Sequence, residues 1–105
     1  MKEIIAELLK FRDERNWKQF HTPENLAKSI IIEASELLEN FQWGSEKVDV
    51  ENVKDELADI IAYCIYLCHE YDFNINEILQ KKIIKNKEKY PIDKSFGKSD
   101  KYTKL

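Results

Sequence analysis

Two acidic pairs at helical spacing, Glu33 with Glu36 and Glu56 with Asp59, are the residues of this 105-residue chain best suited to do chemistry. Residues three and four apart on a helix share a face, so each pair presents two carboxylates together. Glu39 or Asn40 extends the first row and Tyr63 the second, while Leu37 and Ile60 share those faces, so both rows border an apolar stripe. Two acids at this spacing are ordinarily solvated surface groups. Here the pattern recurs 20 residues on, from Glu36 to Glu56, across a turn around Trp43 and Gly44, and an antiparallel helix pair would bring the two rows face to face. Left alone, four such carboxylates repel one another and hold protons to relieve the strain. Around a cation they form a cage of oxygen ligands of the kind hard divalent ions take, Mg²⁺ above all. Neither pair has the His three residues on that a di-iron carboxylate bundle uses, and His69 lies ten residues past Asp59, which disfavours iron. Four carboxylates carry about −4, enough to balance two Mg²⁺ ions while leaving positions for water and phosphate oxygens. That arrangement suits phosphoryl transfer, with a spare carboxylate orienting or deprotonating the attacking water.

Four helices would position these groups. Near residues 2 to 15, Ile4, Ile5, Leu8, Leu9 and Phe11 make one broad apolar face with charged residues opposite, ending around Asn16. A second helix opens with Thr22 to cap free amides, Pro23 at the first helical position and Glu24 complementing the dipole, and runs to about Phe41. Gly44 is a natural terminator, and Ser45 to Asp49 reads as a polar loop. The third helix starts near Val50 and is apolar almost all round between Leu57 and Tyr71, which predicts burial on more than one side. A monomer of this length cannot wrap it, so a second subunit is expected to pack there. A fourth helix, from roughly Asn74 to Tyr90, turns Ile75, Ile78, Leu79 and Ile83 inward and stops at Pro91. Residues 92 to 105 read as a basic tail that is irregular or becomes ordered only against a ligand or partner, and no internal repeat is present. The expected architecture is therefore all-α, one domain over residues 1 to 105, a four-helix bundle completed by oligomerisation.

Composition sets the same frame. With 43% hydrophobic and 35% charged residues and only two Gly and two Pro, the chain reads as helical, not strand-rich. The longest apolar run, Ile60 to Cys68, is too short to span a bilayer, and Glu3 and Glu7 stand where a signal peptide needs a basic flank, so the expected location is cytoplasmic, with no membrane partner. Cys64 and Cys68 sit one helical turn apart without a second Cys pair or a suitably spaced His, which predicts reduced core thiols. Net charge is −3, but residues 81 to 105 hold nine Lys against Glu88, Asp93 and Asp100, a balance of +6 that leaves −9 for residues 1 to 80. A carboxylate-rich body with a basic tail fits an anionic ligand carried on a metal. It fits a solvated lysine-rich tail or a nonspecific nucleic-acid patch equally well, and no specific nucleic-acid partner is expected.

The motifs then resemble a family. Glu33 to Trp43, E-A-S-E-L-L-E-N-F-Q-W, and Asp55 to Tyr63, D-E-L-A-D-I-I-A-Y, look like the metal motif of the MazG-like all-α nucleoside triphosphate pyrophosphohydrolases. The stretch R-D-E-R-N-W-K-Q-F-H-T-P-E-N-L from Arg12 to Leu26, with N-K-E-K-Y-P and the closing K-Y-T-K-L, resembles the dCTP pyrophosphatase branch, so the likeness runs along nearly the whole chain. It implies cleavage of a nucleoside triphosphate between the α and β phosphates, giving monophosphate and pyrophosphate. Glu33, Glu36, Glu56 and Asp59 would hold Mg²⁺ and carry catalysis in a homo-oligomer, a dimer or tetramer. The base pocket carries over to Trp17, Lys18, Gln19, Phe20, His21, Trp43 and Tyr63. Lys82, Asn86, Lys89 and Tyr90, with Lys101, would approach the phosphates. Two departures stand out. Ile32 occupies the first position of the E-E-x-x-E found in many members, and Leu8 stands where the branch has a pocket-facing His. The preferred substrate is then dCTP or a modified pyrimidine deoxynucleotide. Turnover of dUTP, a purine triphosphate or a phosphoribosyl nucleotide on the same fold, or nucleotide binding without turnover, stays open.

Overall fold

The computed structural model describes all 105 residues and contains helices and turns but no strand. The four long helices are α1 (Lys2–Glu14), α2 (Pro23–Glu39), α3 (Val50–Glu70) and α4 (Ile75–Lys89), followed by a one-turn helix α5 (Ile92–Ser95). They divide into two compact units, Met1–Asp72 and Phe73–Leu105.

In the first unit α2 packs along α3 and α1 rests on α3. The pairing is antiparallel. The Asn52 side-chain amide, near the start of α3, donates to Oδ1 of Asn40 at the end of α2 (2.9 Å), whereas the ring of His21, just before α2, meets that of Tyr66 late in α3 at 4.8 Å between centroids, tilted by 42°. Local sequence sets the boundaries. Asn16 and Asp72 adopt left-handed backbone (φ 54° and 57°) just past the ends of α1 and α3, a conformation short polar side chains tolerate. Gly44 turns the chain with φ 95°. Each of the three following helices is capped by a side chain accepting from the third residue on: Thr22 from the Asn25 amide, Asp49 from Asn52 and Asn74 from Glu77, at 3.1 to 3.2 Å. Thr22→Ala removes the first of these and should cost about 1 kcal/mol of stability, read as a fall in the urea midpoint with the m-value unchanged.

The core is small. Leu26, Ile65 and Tyr66 are its buried hydrophobic residues, joined by Arg12, only 2% exposed, which is paired with Asp13 (2.9 Å) and more loosely with Glu70 (3.7 Å). The Tyr66 hydroxyl donates to the Leu8 carbonyl at 3.0 Å and ties α3 to α1. Cys64 and Cys68 are free thiols, partly buried, and burial raises both above the usual thiol range, as expected of unreactive core cysteines. Within this single chain α3 is not buried on several sides: Ile61 is 50% and Leu57 43% exposed. Ile31 (69%) and Leu38 (70%) on α2 are more open still. The apolar surface that one chain of this length cannot cover therefore lies on both helices.

In the second unit α4 keeps Ile83 and Ile84 more than half exposed. The tail beyond it is partly regular, with two short turns of helix that the sequence pattern does not place. Pro91 stops α4 and then serves as the cap of α5, where the Ser95 hydroxyl donates to the Pro91 carbonyl (2.7 Å), and Tyr102–Lys104 forms a 3₁₀ turn. Pro91 reads in the sequence only as a stop to α4, without the helix start it also provides. No helix is long and apolar enough to cross a membrane.

Candidate active site

The antiparallel pairing of α2 and α3 carries the acidic rows toward each other. Carboxylate oxygens of Glu33, Glu56 and Asp59 lie within 4.8 Å of one another. Glu33 Oε2 and Glu56 Oε2 are both inaccessible to solvent and have no hydrogen-bond partner. Unpaired buried carboxylate oxygens are costly unless a cation or a proton answers them. Burial, then contact with the Glu36 and Glu56 carboxyls, then the charges of Glu36 and Asp59, push Glu33 up to about 7. Glu56 is also raised, by desolvation and by the Glu36 and Asp59 charges, with contact to Glu33 opposing. A divalent cation suits this donor set better than protons do, because it satisfies several hard oxygen ligands at once.

Glu36 stands outside the tight triad but adjoins it, acting on both Glu33 and Glu56. It lines a hollow of about 300 Å³ with Glu39, Asn40, Asn52 and Glu56. Asn40 also donates to the backbone carbonyls of Glu36 (3.4 Å) and Leu37 (3.3 Å), so the Asn40–Asn52 link fastens the end of α2 to the start of α3 beside the acids. Asn52 carried no signal in the sequence, since a single amide in a helix's first turn reads as surface.

A larger hollow of about 510 Å³ lies between α1 and α3, and Asp59 lines it, so it borders the acid triad directly. Trp17, His21, Tyr63 and Tyr66 supply its rings, and Ile4, Leu8, Phe11 and Ala62 its apolar wall. Phe11 and Trp17 meet edge to face at 5.6 Å, while Tyr63 and Tyr66 do so at 6.4 Å, so the rings are held by one another. The imidazole of His21 is shifted down, first by burial and then by the Arg12 charge, with Glu70 opposing. Its Nδ1 is buried without a partner. Burial, and then the charges of Glu33 and Asp59, hold the Tyr63 phenol above its usual value.

The residues singled out in the sequence are thus brought together unevenly. Trp17, His21 and Tyr63 converge, and they also line a smaller adjoining hollow together with Phe20. Lys18 and Gln19 lie on the exposed 3₁₀ turn Lys18–Phe20, where Gln19 donates to the Asn16 carbonyl (3.0 Å). Trp43 is 83% exposed and is not among the residues lining these hollows. Leu8 faces the large hollow without any polar group to offer. In the second unit Lys82, Asn86 and Lys89 are exposed on α4, Lys101 is exposed beyond it, and Tyr90 caps the helix. There the Lys89 ammonium sits 4.8 Å from the centroid of Tyr102, which also meets the Tyr90 ring at 6.0 Å.

With this geometry in place, comparison with known proteins decides the family. Residues 28–105 match the MazG-like family. The chain belongs to the MazG-like family. This MazG-like chain is 32% identical over 104 residues to mouse dCTP pyrophosphatase 1 and 31% to the human protein, the matches covering 90% of the chain. It spans about three fifths, 61%, of those relatives' own length. A pyrophosphatase from Archaeoglobus fulgidus has the same fold, with a TM-score of 0.78 and 42% identity over 87% of this chain and 92% of that one.

Proposed function

We propose that the chain is an Mg²⁺-dependent nucleotide pyrophosphohydrolase that converts dCTP, or a pyrimidine deoxynucleoside triphosphate with a modified base, to the monophosphate and pyrophosphate. One observation carries the reading: the acid triad and a ring-lined hollow share Asp59, so a flat base in the hollow has its phosphate chain directed at the carboxylates. The names of the dCTP pyrophosphatases and of the archaeal pyrophosphatase support the same chemistry.

Glu33, Glu56 and Asp59 would hold the metal, with Glu36 completing the set. Bound Mg²⁺ supplies neutralisation of phosphate charge and acidification of water. A carboxylate oxygen of this set that the metal leaves free would orient or deprotonate the water that attacks the α-phosphorus. Trp17 and Tyr63 sandwich the base, as ring faces do for any flat heterocycle, while His21, neutral and with Nδ1 unpartnered, reads its edge. Phe20, Lys18, Gln19 and Trp43 belong to the same reading through the sequence motif alone. Lys82, Asn86, Lys89 and Tyr90 belong to the reading through the sequence resemblance alone, as cationic and polar groups suited to the charge that develops on departing pyrophosphate. A homo-oligomer, dimer or tetramer, fits the exposed Ile31, Leu38, Leu57 and Ile61. The proposed location is cytoplasmic, with neither a membrane nor a specific nucleic acid as partner.

Pyrophosphate release from a panel of canonical and 5-modified nucleoside triphosphates, with and without Mg²⁺, tests the reading. Release from dCTP or its 5-modified forms that requires Mg²⁺ is expected. Release only from a purine triphosphate would refute the pyrimidine assignment, and bound nucleotide with no release would indicate a sensing module.

A further inference from the structure

The large hollow has one polar side chain that neither the metal site nor the ring stack uses. Glu7 lies on α1 three residues after Ile4 and four before Phe11, on the stripe that lines the hollow. An acid there interrupts an otherwise apolar face made of Ile4, Leu8 and Phe11. Its carboxylate has no ion pair and no hydrogen bond, although Lys10 stands three residues on along the same helix. The other polar groups on the wall are engaged or assigned: Asp59 belongs to the acid triad, and the Tyr66 hydroxyl is donating to the Leu8 carbonyl.

A free carboxylate accepts hydrogen bonds and donates none, so whatever part of a ligand meets it must carry a donor. Cytosine and uracil differ along one edge: position 4 carries an amine in cytosine and a carbonyl in uracil, and N3 accepts in cytosine but donates in uracil. A carboxylate opposite position 4 accepts from the amine and repels the carbonyl. We infer that Glu7 is the residue that selects an amino-bearing base in this hollow, accepting a hydrogen bond from the exocyclic amine of a cytosine ring stacked among Trp17 and Tyr63. The inference rests on the nucleotide reading above and adds to it the side chain that sets base preference.

The test compares wild type with Glu7→Gln and Glu7→Leu, using kcat/KM for pyrophosphate release from dCTP and dUTP, and calorimetric binding of dCMP and dUMP without metal. Glu7 is exposed on the outer helix, so both variants keep the fold. Glu7→Gln presents an amide that can face either base, and the dCTP-to-dUTP ratio falls about tenfold, the effect of losing one hydrogen bond to a charged group at a solvent-open site. Glu7→Leu lowers the same ratio at least as far, because dCTP turnover falls with the lost hydrogen bond while dUTP turnover rises as the repulsion of its 4-carbonyl is removed. An unchanged ratio in both variants, or an equal loss on both nucleotides, overturns the role of Glu7. If wild type hydrolyses neither triphosphate, it is the pyrophosphohydrolase reading that fails. The dCMP-to-dUMP binding ratio still decides Glu7 in that event, a ratio unaffected by either substitution refuting it.

Discussion

Glu33→Gln should abolish Mg²⁺-dependent pyrophosphate release, by about 10²-fold to 10³-fold, while making the metal-free protein more stable at pH 8. The two effects have one cause. Glu33 Oε2 is buried without a partner among Glu36, Glu56 and Asp59, and the carboxyl is pushed up to about 7 by that company. At pH 8 it is ionised at a cost from desolvation and like-charge repulsion. Glutamine keeps the shape and removes the charge, and its amide can donate to the Glu36 or Glu56 carboxylate, so the strain disappears. The same amide cannot serve as an anionic metal ligand, so charge neutralisation on the reacting phosphate goes with it. Thermal melting without metal and initial rates with saturating Mg²⁺ check both halves. A variant that loses activity and also melts lower than wild type would mean that Glu33 supports the fold instead of the chemistry. Equal activity would refute the metal site.

Much of this arrangement is legible in the sequence because its parts are local. The E-x-x-E and E-x-x-D spacings place carboxylates on helix faces by geometry alone, and Thr22-Pro23 marks the start of α2 through capping chemistry that acts within one turn. What the spacings do not carry is the grading within the cluster. Glu33, Glu56 and Asp59 form the tight group and Glu36 stands beside it, a difference set by the packing of α2 on α3. Asn52 escapes notice for a similar reason: its partner, Asn40, is twelve residues away and meets it only across the helix pair. Glu7 reads in the sequence as one of the charged residues opposite the apolar face of α1, and only the hollow it lines sets it apart. Arg12 reads in the sequence as one of many charged residues on the polar face of α1, yet it is among the few buried side chains and perturbs His21. The apolar run of α3 fixes the helix and its need for cover, and the exposure of Ile61 shows where one chain leaves that need unmet.

Magnesium should raise the melting temperature strongly at pH 8 and scarcely at pH 5. In the unfolded chain Glu33 titrates at its ordinary carboxylate value near 4.5, and in the folded metal-free protein at about 7. Below 4.5 the group is protonated in both states and no penalty applies. Between 4.5 and 7 the folded state binds a proton that the unfolded state has released, so stability falls as pH rises. Above 7 the carboxylate is charged in both states and the penalty is constant. The metal-free protein is therefore expected to be most stable on the acid side of this window, with Glu56 adding in the same direction. Magnesium competes with that proton: at pH 5 it must displace it, while at pH 8 it finds the carboxylates already ionised. At free Mg²⁺ a hundredfold above Kd the stabilisation at pH 8 is about 2.7 kcal/mol. For a chain of this size that is a rise of roughly 10 °C. Melting curves at pH 5, 6.5 and 8, each with Mg²⁺ or with chelator, give the result directly. A magnesium shift that is the same at all three values would mean that the ion binds away from Glu33, and the shift should vanish in Glu33→Gln if the acid triad is where it binds.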